Sequence, residues 1–236
     1  MSAFTLKIIA LITMLIDHIG AIIPEAFGFE PTGINFFRVI GRVAFPIFAY
    51  LIAEGFRHTK NRGKFLTRLG IFALISEIPF DLALNENINF FAKTNIFYTL
   101  FLGGAAIITY EYIRGDKKTL DIFAFFPVIG FMWLANALTT DYGALGVAFI
   151  FCMYAVNHKK LRLAVMAFFC VLLQSFIVIL LLRGEISNIP TIHLLLLPTT
   201  LIPVLLFAFY NGERGANFKW LFYIAYPAHL AVLAIL

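Results

Sequence analysis

The sequence predicts an all-α fold: a polytopic transmembrane helical bundle of about nine spans (eight to ten), forming one domain over residues 1–236. Three observations predict it. Hydrophobic residues make up 61% of the chain and charged residues only 13%, whereas soluble domains carry about 25%. Apolar runs near membrane length recur from end to end, with connections no longer than about a dozen residues. Backbone amides find no water in hydrocarbon, so each run must satisfy itself as a helix.

Scanning for such runs places helices at roughly 4–24, 36–56, 66–83, 96–113, 120–138, 142–157, 161–182, 192–210 and 219–236. The first could be confused with a secretory signal, but no A-x-A site follows it and Asp17-His18 interrupts its apolar core. It reads as a retained helix. Pro46 should kink the second helix against the carbonyl of Arg42, and Pro79 should bend the third between Glu77 and Asp81. Asp141-Tyr-Gly143 opens the sixth. Cys152 and Cys170 fall inside spans and read as small buried hydrophobes.

The loops after the even-numbered helices collect the basic residues. With Lys7 they hold 14 of the 18, including Arg57, Arg62, Arg114, Lys159 and Arg214. Positive loops stay inside, so the N-terminus is expected in the cytoplasm, the C-terminus outside, and the protein in the cell (inner) membrane as a multi-pass protein. The net charge of +5 is then an orientation signal, and no nucleic-acid partner is expected.

Orientation gives each ionisable residue a depth. His18 lies about 18 Å from the inner end of its helix, in the outer half of the bilayer. Arg38 and Arg42 share a face in the first turns of the second helix, and Glu77 and Asp81 share one in the last turns of the third. Tyr226 and His229 fall past the midpoint of the last helix, and Asp141 begins the sixth at the outer surface. Ionisable residues cost about 2.5–3.5 kcal/mol each at the centre of a membrane helix, so a shared polar layer marks a site. Asp17 and His18 are its candidate catalytic pair, with Asp17 holding one ring nitrogen so that the other acts as a base. Neighbouring helical residues point about 100° apart, however, so Asp17 can meet Arg38 or Arg42 instead. The arginines can equally clasp Glu77 and Asp81 as structural pairs. His229 can line the site or bond a carbonyl freed by Pro227. His193 is a candidate for the outer entrance, and His58 and His158 read as solvated. Beyond those carboxylates, no helix carries an i, i+4 pair of metal ligands, so no metal is expected.

Six segments resemble the TraX family: Leu6-Lys-Ile-Ile-Ala-Leu-Ile-Thr-Met-Leu-Ile-Asp-His-Ile-Gly20, Arg38-Val-Ile-Gly-Arg-Val-Ala-Phe-Pro46, Ile75-Ser-Glu-Ile-Pro-Phe-Asp81, Asn95-Ile-Phe-Tyr-Thr99, Asp141-Tyr-Gly-Ala-Leu-Gly146 and Phe222-Tyr-Ile-Ala-Tyr-Pro-Ala-His-Leu230. They occur in order over the whole chain. The resemblance implies an integral-membrane acetyltransferase, similar to the acyltransferase-3-like enzymes. Such an enzyme moves acetyl from cytoplasmic acetyl-CoA to a hydroxyl or amine at or beyond the outer half of the membrane. It implies His18 as the catalytic histidine, with Arg38 or Arg42 as oxyanion or substrate ligands and Glu77 and Asp81 fixing them. Asp141, Tyr226 and His229 then line the substrate site, and Arg57 and Arg62 are candidates for the CoA phosphates. The expected partners are acetyl-CoA, the lipid bilayer and an acceptor that is a sugar, a lipid-linked glycan or a peptide amine; oligomerisation is left open. Two other functions fit the same residues: a proton-coupled transporter using Asp17 and His18, and a noncatalytic membrane subunit.

Overall fold

The computed structural model describes residues 1–28, 35–85, 93–115, 122–182 and 201–236. Among them the regular elements are helical: α1 (Ala3–Ile22), α2 (Phe36–Gly41), α3 (Ala44–His58), α4 (Arg62–Phe80), α5 (Ile96–Arg114), α6 (Phe125–Ala137), α7 (Gly143–Ala155), α8 (Lys159–Leu182), α9 over 201–208, and α10 (Lys219–Leu233). The predicted all-α class is borne out, and the helices fall within a few residues of the expected runs. His193 and the start of the eighth run lie outside the described residues.

Side-chain caps start several of these helices. Ser2, Asn35, Asn61 and Asn95 each accept a backbone N–H of the first turn of α1, α2, α4 and α5, which are donors the helix cannot satisfy itself. The second predicted helix is broken into two where Pro46 was expected only to kink it. Its ring has no room beside the carbonyl of Arg42, so α2 ends at Gly41 and α3 restarts at Ala44. The turn between them tightens to i, i−3 bonds, Arg42 to Val39 at 3.3 Å and Val43 to Ile40 at 3.2 Å. Pro79 stays inside α4, and Asp81–Asn85 follows it as a π-turn.

Three helical stretches are long and apolar enough to cross a membrane: Ala3–Ile22, Phe36–His58 and Ile96–Arg114. Shorter apolar helices cover Phe125–Ala137, Gly143–Ala155 and Trp220–Leu233. Their exposed faces are also apolar. Phe126, Ile129 and Trp133 line one side of α6 at 64%, 60% and 71% exposure, a stripe that water would penalise and lipid would not.

The chain divides into two compact units. The first joins Met1–Phe48 to His158–Leu236, and the second is Ala49–Asn157. In the first, α1 packs on both α2 and α10. Its start is sewn to the segment before α10: Ala3 N–H donates to Glu213 at 2.8 Å and Phe4 N–H to Arg214 at 3.1 Å. Phe4 packs on Phe218 and Phe222 at one end of α1, and His18 meets His229 at the other. The two helices therefore run side by side in the same direction. In the second unit α5 is central, touching α4, α6 and α7. Glycines permit that approach: a Cβ at Gly103 would stand 2.8 Å from Ile150, and one at Gly104 would stand 2.5 Å from the Phe56 ring.

Candidate functional site

Asp17 and His18 are adjacent, yet α1 presents them to different partners. At about 100° per residue, the positions Phe4, Lys7 and His18 fall on the face toward α10, while Asp17 and Gly20, three apart, fall toward α2. Lys7 lies over the Phe222 ring at 5.3 Å on the first face.

On that face His18 Nδ1 lies 2.5 Å from His229 Nε2. The rings are nearly parallel, 8° apart in plane, with centroids 4.8 Å apart. His229 Nδ1 reaches the Ala225 carbonyl at 2.7 Å. Tyr226, three residues before His229 on α10 and buried, sets its ring edge-on to both imidazoles at 6.0 and 5.5 Å. The carbonyl that Pro227 deprives of its helical donor is that of Tyr223, four residues back, so the bond to Ala225 is not a consequence of the proline.

On the other face Arg38 Nη1 donates to Asp17 Oδ2 at 2.6 Å, and Arg42 Nη2 stands 3.9 Å from Oδ1. Both arginines thus reach one carboxylate despite the break in the helix. Two residues not singled out in the sequence build this face. Asn35 caps α2 with its oxygen and donates from Nδ2 to the Gly20 carbonyl at 2.6 Å, locking α2 to α1. Gly41 lies directly against Asp17, where any Cβ would collide with the Asp17 side chain. A polar residue just before an apolar run is the signal that could have found Asn35; nothing local marks Gly41.

Glu77, Asp81 and Asp141 belong to the second unit. Glu77, 1% exposed, accepts from the Asn95 backbone at 3.2 Å and from Asn95 Nδ2, which also donates to the Ala73 carbonyl at 2.8 Å. Asp81 accepts from Asn85 at 2.8 Å. Asp141 pairs with Lys93 at 2.9 Å, and its carbonyl receives the Thr99 hydroxyl. Tyr142 and Gly143 follow with φ of 66° and 48°, so the start of α7 is a left-handed turn.

Arg57 and Arg62 also lie in the second unit. Arg57 Nη2 donates to the carbonyls of Met153 (3.3 Å), Tyr154 and Val156 (2.5 Å), closing the C-terminus of α7. Arg62 donates to the Phe56 carbonyl and the Tyr154 hydroxyl, each at 3.0 Å. Arg57, Tyr110, Glu111, Arg114, Tyr154, Ala155 and Asn157 line a cavity of about 200 Å³. His58 is paired with Glu54 at 3.2 Å and is largely solvated. No group of three metal ligands occurs among the described residues.

Apolar helices of membrane length, with an imidazole pair and a carboxylate–arginine cluster drawn onto the first of them, define the class: a helical membrane protein with titratable groups among its spans. The chain belongs to the TraX family, whose model, described as TraX protein, matches residues 2–236. It is 30% identical to a protein of Dichelobacter nodosus described as "Probable fimbrial assembly protein FimC, serogroup H1", over 98% of this chain and 94% of that one. It is 26% identical to an uncharacterized protein of Rickettsia prowazekii (strain Madrid E), over 92% of this chain and 83% of the relative. No solved structure matches the chain.

Proposed function

We propose that the protein is a membrane-embedded acetyltransferase that moves acetyl from acetyl-CoA to an acceptor hydroxyl or amine. The observation that carries this reading is the His18–His229 contact on α1, one residue from the Asp17–Arg38 pair. Acyl transfer from a thioester uses a base and a cationic group, and α1 carries the contacts of both on faces about 100° apart. His18 takes the proton of the acceptor as its oxygen or nitrogen attacks the thioester carbonyl. The oxyanion that forms is stabilised by Arg42 or Arg38. Collapse breaks the carbon–sulfur bond, and His18 returns the proton to the CoA thiolate, so the products are acetylated acceptor and free CoA.

The cavity bounded by Arg57 and Arg114 suits the donor's phosphates in charge, although Glu111 also faces it and Arg57 Nη2 is committed to carbonyls. The distribution of Lys and Arg supports a cytoplasmic N-terminus in the cell membrane, with the acceptor on the outer side. The name of the Dichelobacter relative makes a fimbrial subunit amine the acceptor to try first, ahead of sugars and lipid-linked glycans.

Purified protein in liposomes is given labelled acetyl-CoA beside His18→Ala. Label passing to water or to an added acceptor, and lost in the variant, supports the enzyme; label held on wild-type protein alone identifies an acetyl-histidine carrier. A folded wild type that neither binds nor cleaves acetyl-CoA overturns the reading. The short contact between two titratable rings also favours a second reading, a proton-coupled transporter, which predicts gradient-driven flux with no covalent product.

A further inference from the structure

We propose that His229 is a positioning residue: it fixes His18 as the tautomer that bears hydrogen on Nδ1 and the lone pair on Nε2. The inference rests on the acyl-transfer reading for its use in catalysis, while the tautomer itself stands on geometry alone. A carbonyl oxygen only accepts, so the 2.7 Å contact with Ala225 requires a hydrogen on His229 Nδ1. A neutral imidazole with hydrogen on Nδ1 has its lone pair on Nε2. That atom lies 2.5 Å from His18 Nδ1, which must therefore donate. The order of donors ends with His18 Nε2 as the basic nitrogen. The order enters from α10, 211 residues away in the chain.

The arrangement does with a neutral ring what a carboxylate does in a catalytic triad, where an acceptor on Nδ1 holds the imidazole in tautomer and orientation. The difference suits hydrocarbon. A carboxylate at Nδ1 would add a charge that the membrane penalises, whereas a second imidazole holds the tautomer without one. When Nε2 takes the acceptor's proton, the positive charge on His18 is shared through Nδ1–H with His229, whose own N–H stays on the Ala225 carbonyl. Tyr226 packs against both rings and keeps them parallel. Asp17, beside His18 in sequence, holds Arg38 on the other face.

The test is ¹⁵N NMR of histidine-labelled full-length protein in detergent, with the His18 signals assigned by difference against His18→Ala. Transfer of labelled acetyl is measured on the same samples. The expected wild-type spectrum shows His18 with hydrogen on Nδ1. His229→Phe should shift His18 toward the Nε2–H form and lower transfer about 100-fold, within the range for a general base. His229→Gln, whose amide oxygen can accept from Nδ1, should keep the tautomer and stay within about 10-fold of wild type. His18 already in the Nε2–H form in the wild type, or unchanged in tautomer in a folded His229→Phe, overturns the proposal. Loss of transfer in both variants with equal loss of folded protein reduces His229 to a packing residue, and this too overturns it. The expected tautomers in a protein that transfers no acetyl would leave the positioning intact and sink the enzyme reading instead.

Discussion

In the first unit two contacts join titratable side chains, whereas in the second the side chains that tie α5 and α7 in place reach backbone. His18 meets His229, and Asp17 meets Arg38. In the second unit Asn95 reaches the Ala73 carbonyl, Thr99 the Asp141 carbonyl, and Arg57 the end of α7. A buried polar group must be satisfied, and satisfying a backbone carbonyl is a structural task. An imidazole satisfied by a second imidazole keeps a proton to exchange, whereas an arginine on a carboxylate fixes charge in place. Buried polarity alone therefore does not mark a site; what it is bonded to does.

Four substitutions break or sharpen that contrast. The largest effect belongs to the first unit: His18→Ala should lower acetyl transfer by about 10²–10⁴-fold while the protein stays folded, checked by labelled transfer beside thermal unfolding in detergent. If transfer survives, the histidine pair is structural too and the contrast fails. Asn95→Ala should behave in the opposite way. It removes the side-chain donor to Glu77 and to the Ala73 carbonyl, leaving only the Asn95 backbone N–H on Glu77. The loss should cost about 1–3 kcal/mol of stability, with the remaining folded fraction still active. Gly41→Ala places a methyl group against Asp17, and unfolding should report a loss of about 1–3 kcal/mol together with weakened transfer, because α2 carries Arg38. The smallest effect is Lys93→Ala. The Lys93 side chain is 56% exposed, and losing its pair with Asp141 should change stability by less than about 1 kcal/mol, a change that high salt reproduces in the wild type.

The break in the second helix shows how far local chemistry reaches. Pro46 lacks an amide hydrogen and its ring excludes the carbonyl of Arg42, so a disturbance there is legible from residue type. Its becoming a break is not, since Pro79 and Pro227 stay inside their helices. The all-α class was legible for a similar reason. Composition and run length act through the solvent, and lipid permits a spanning segment only a self-satisfied backbone. The π-turn after Pro79 was only half legible: the proline signals a disturbance, but the ring does not dictate whether it falls before Asp81 or after it.

The candidate site divides in the same way. Its members were legible because an Asp, a His or an Arg in a membrane helix stands out against about 20 apolar neighbours. Their pairing was not. Helical geometry sends Asp17 and His18 to different faces, but which helix covers each face depends on contacts made far along the chain. Gly41 shows the limit most plainly, since a glycine in an apolar run carries no local mark of the carboxylate it must accommodate. The sequence by itself determined the helices, the disturbance at Pro46 and the set of ionisable groups, because those depend on residue type and near neighbours. Only the tertiary structure decided that His18 answers to His229 and Asp17 to Arg38. Partner choice in a bundle is made by the packing of distant helices, and neither period nor composition encodes it.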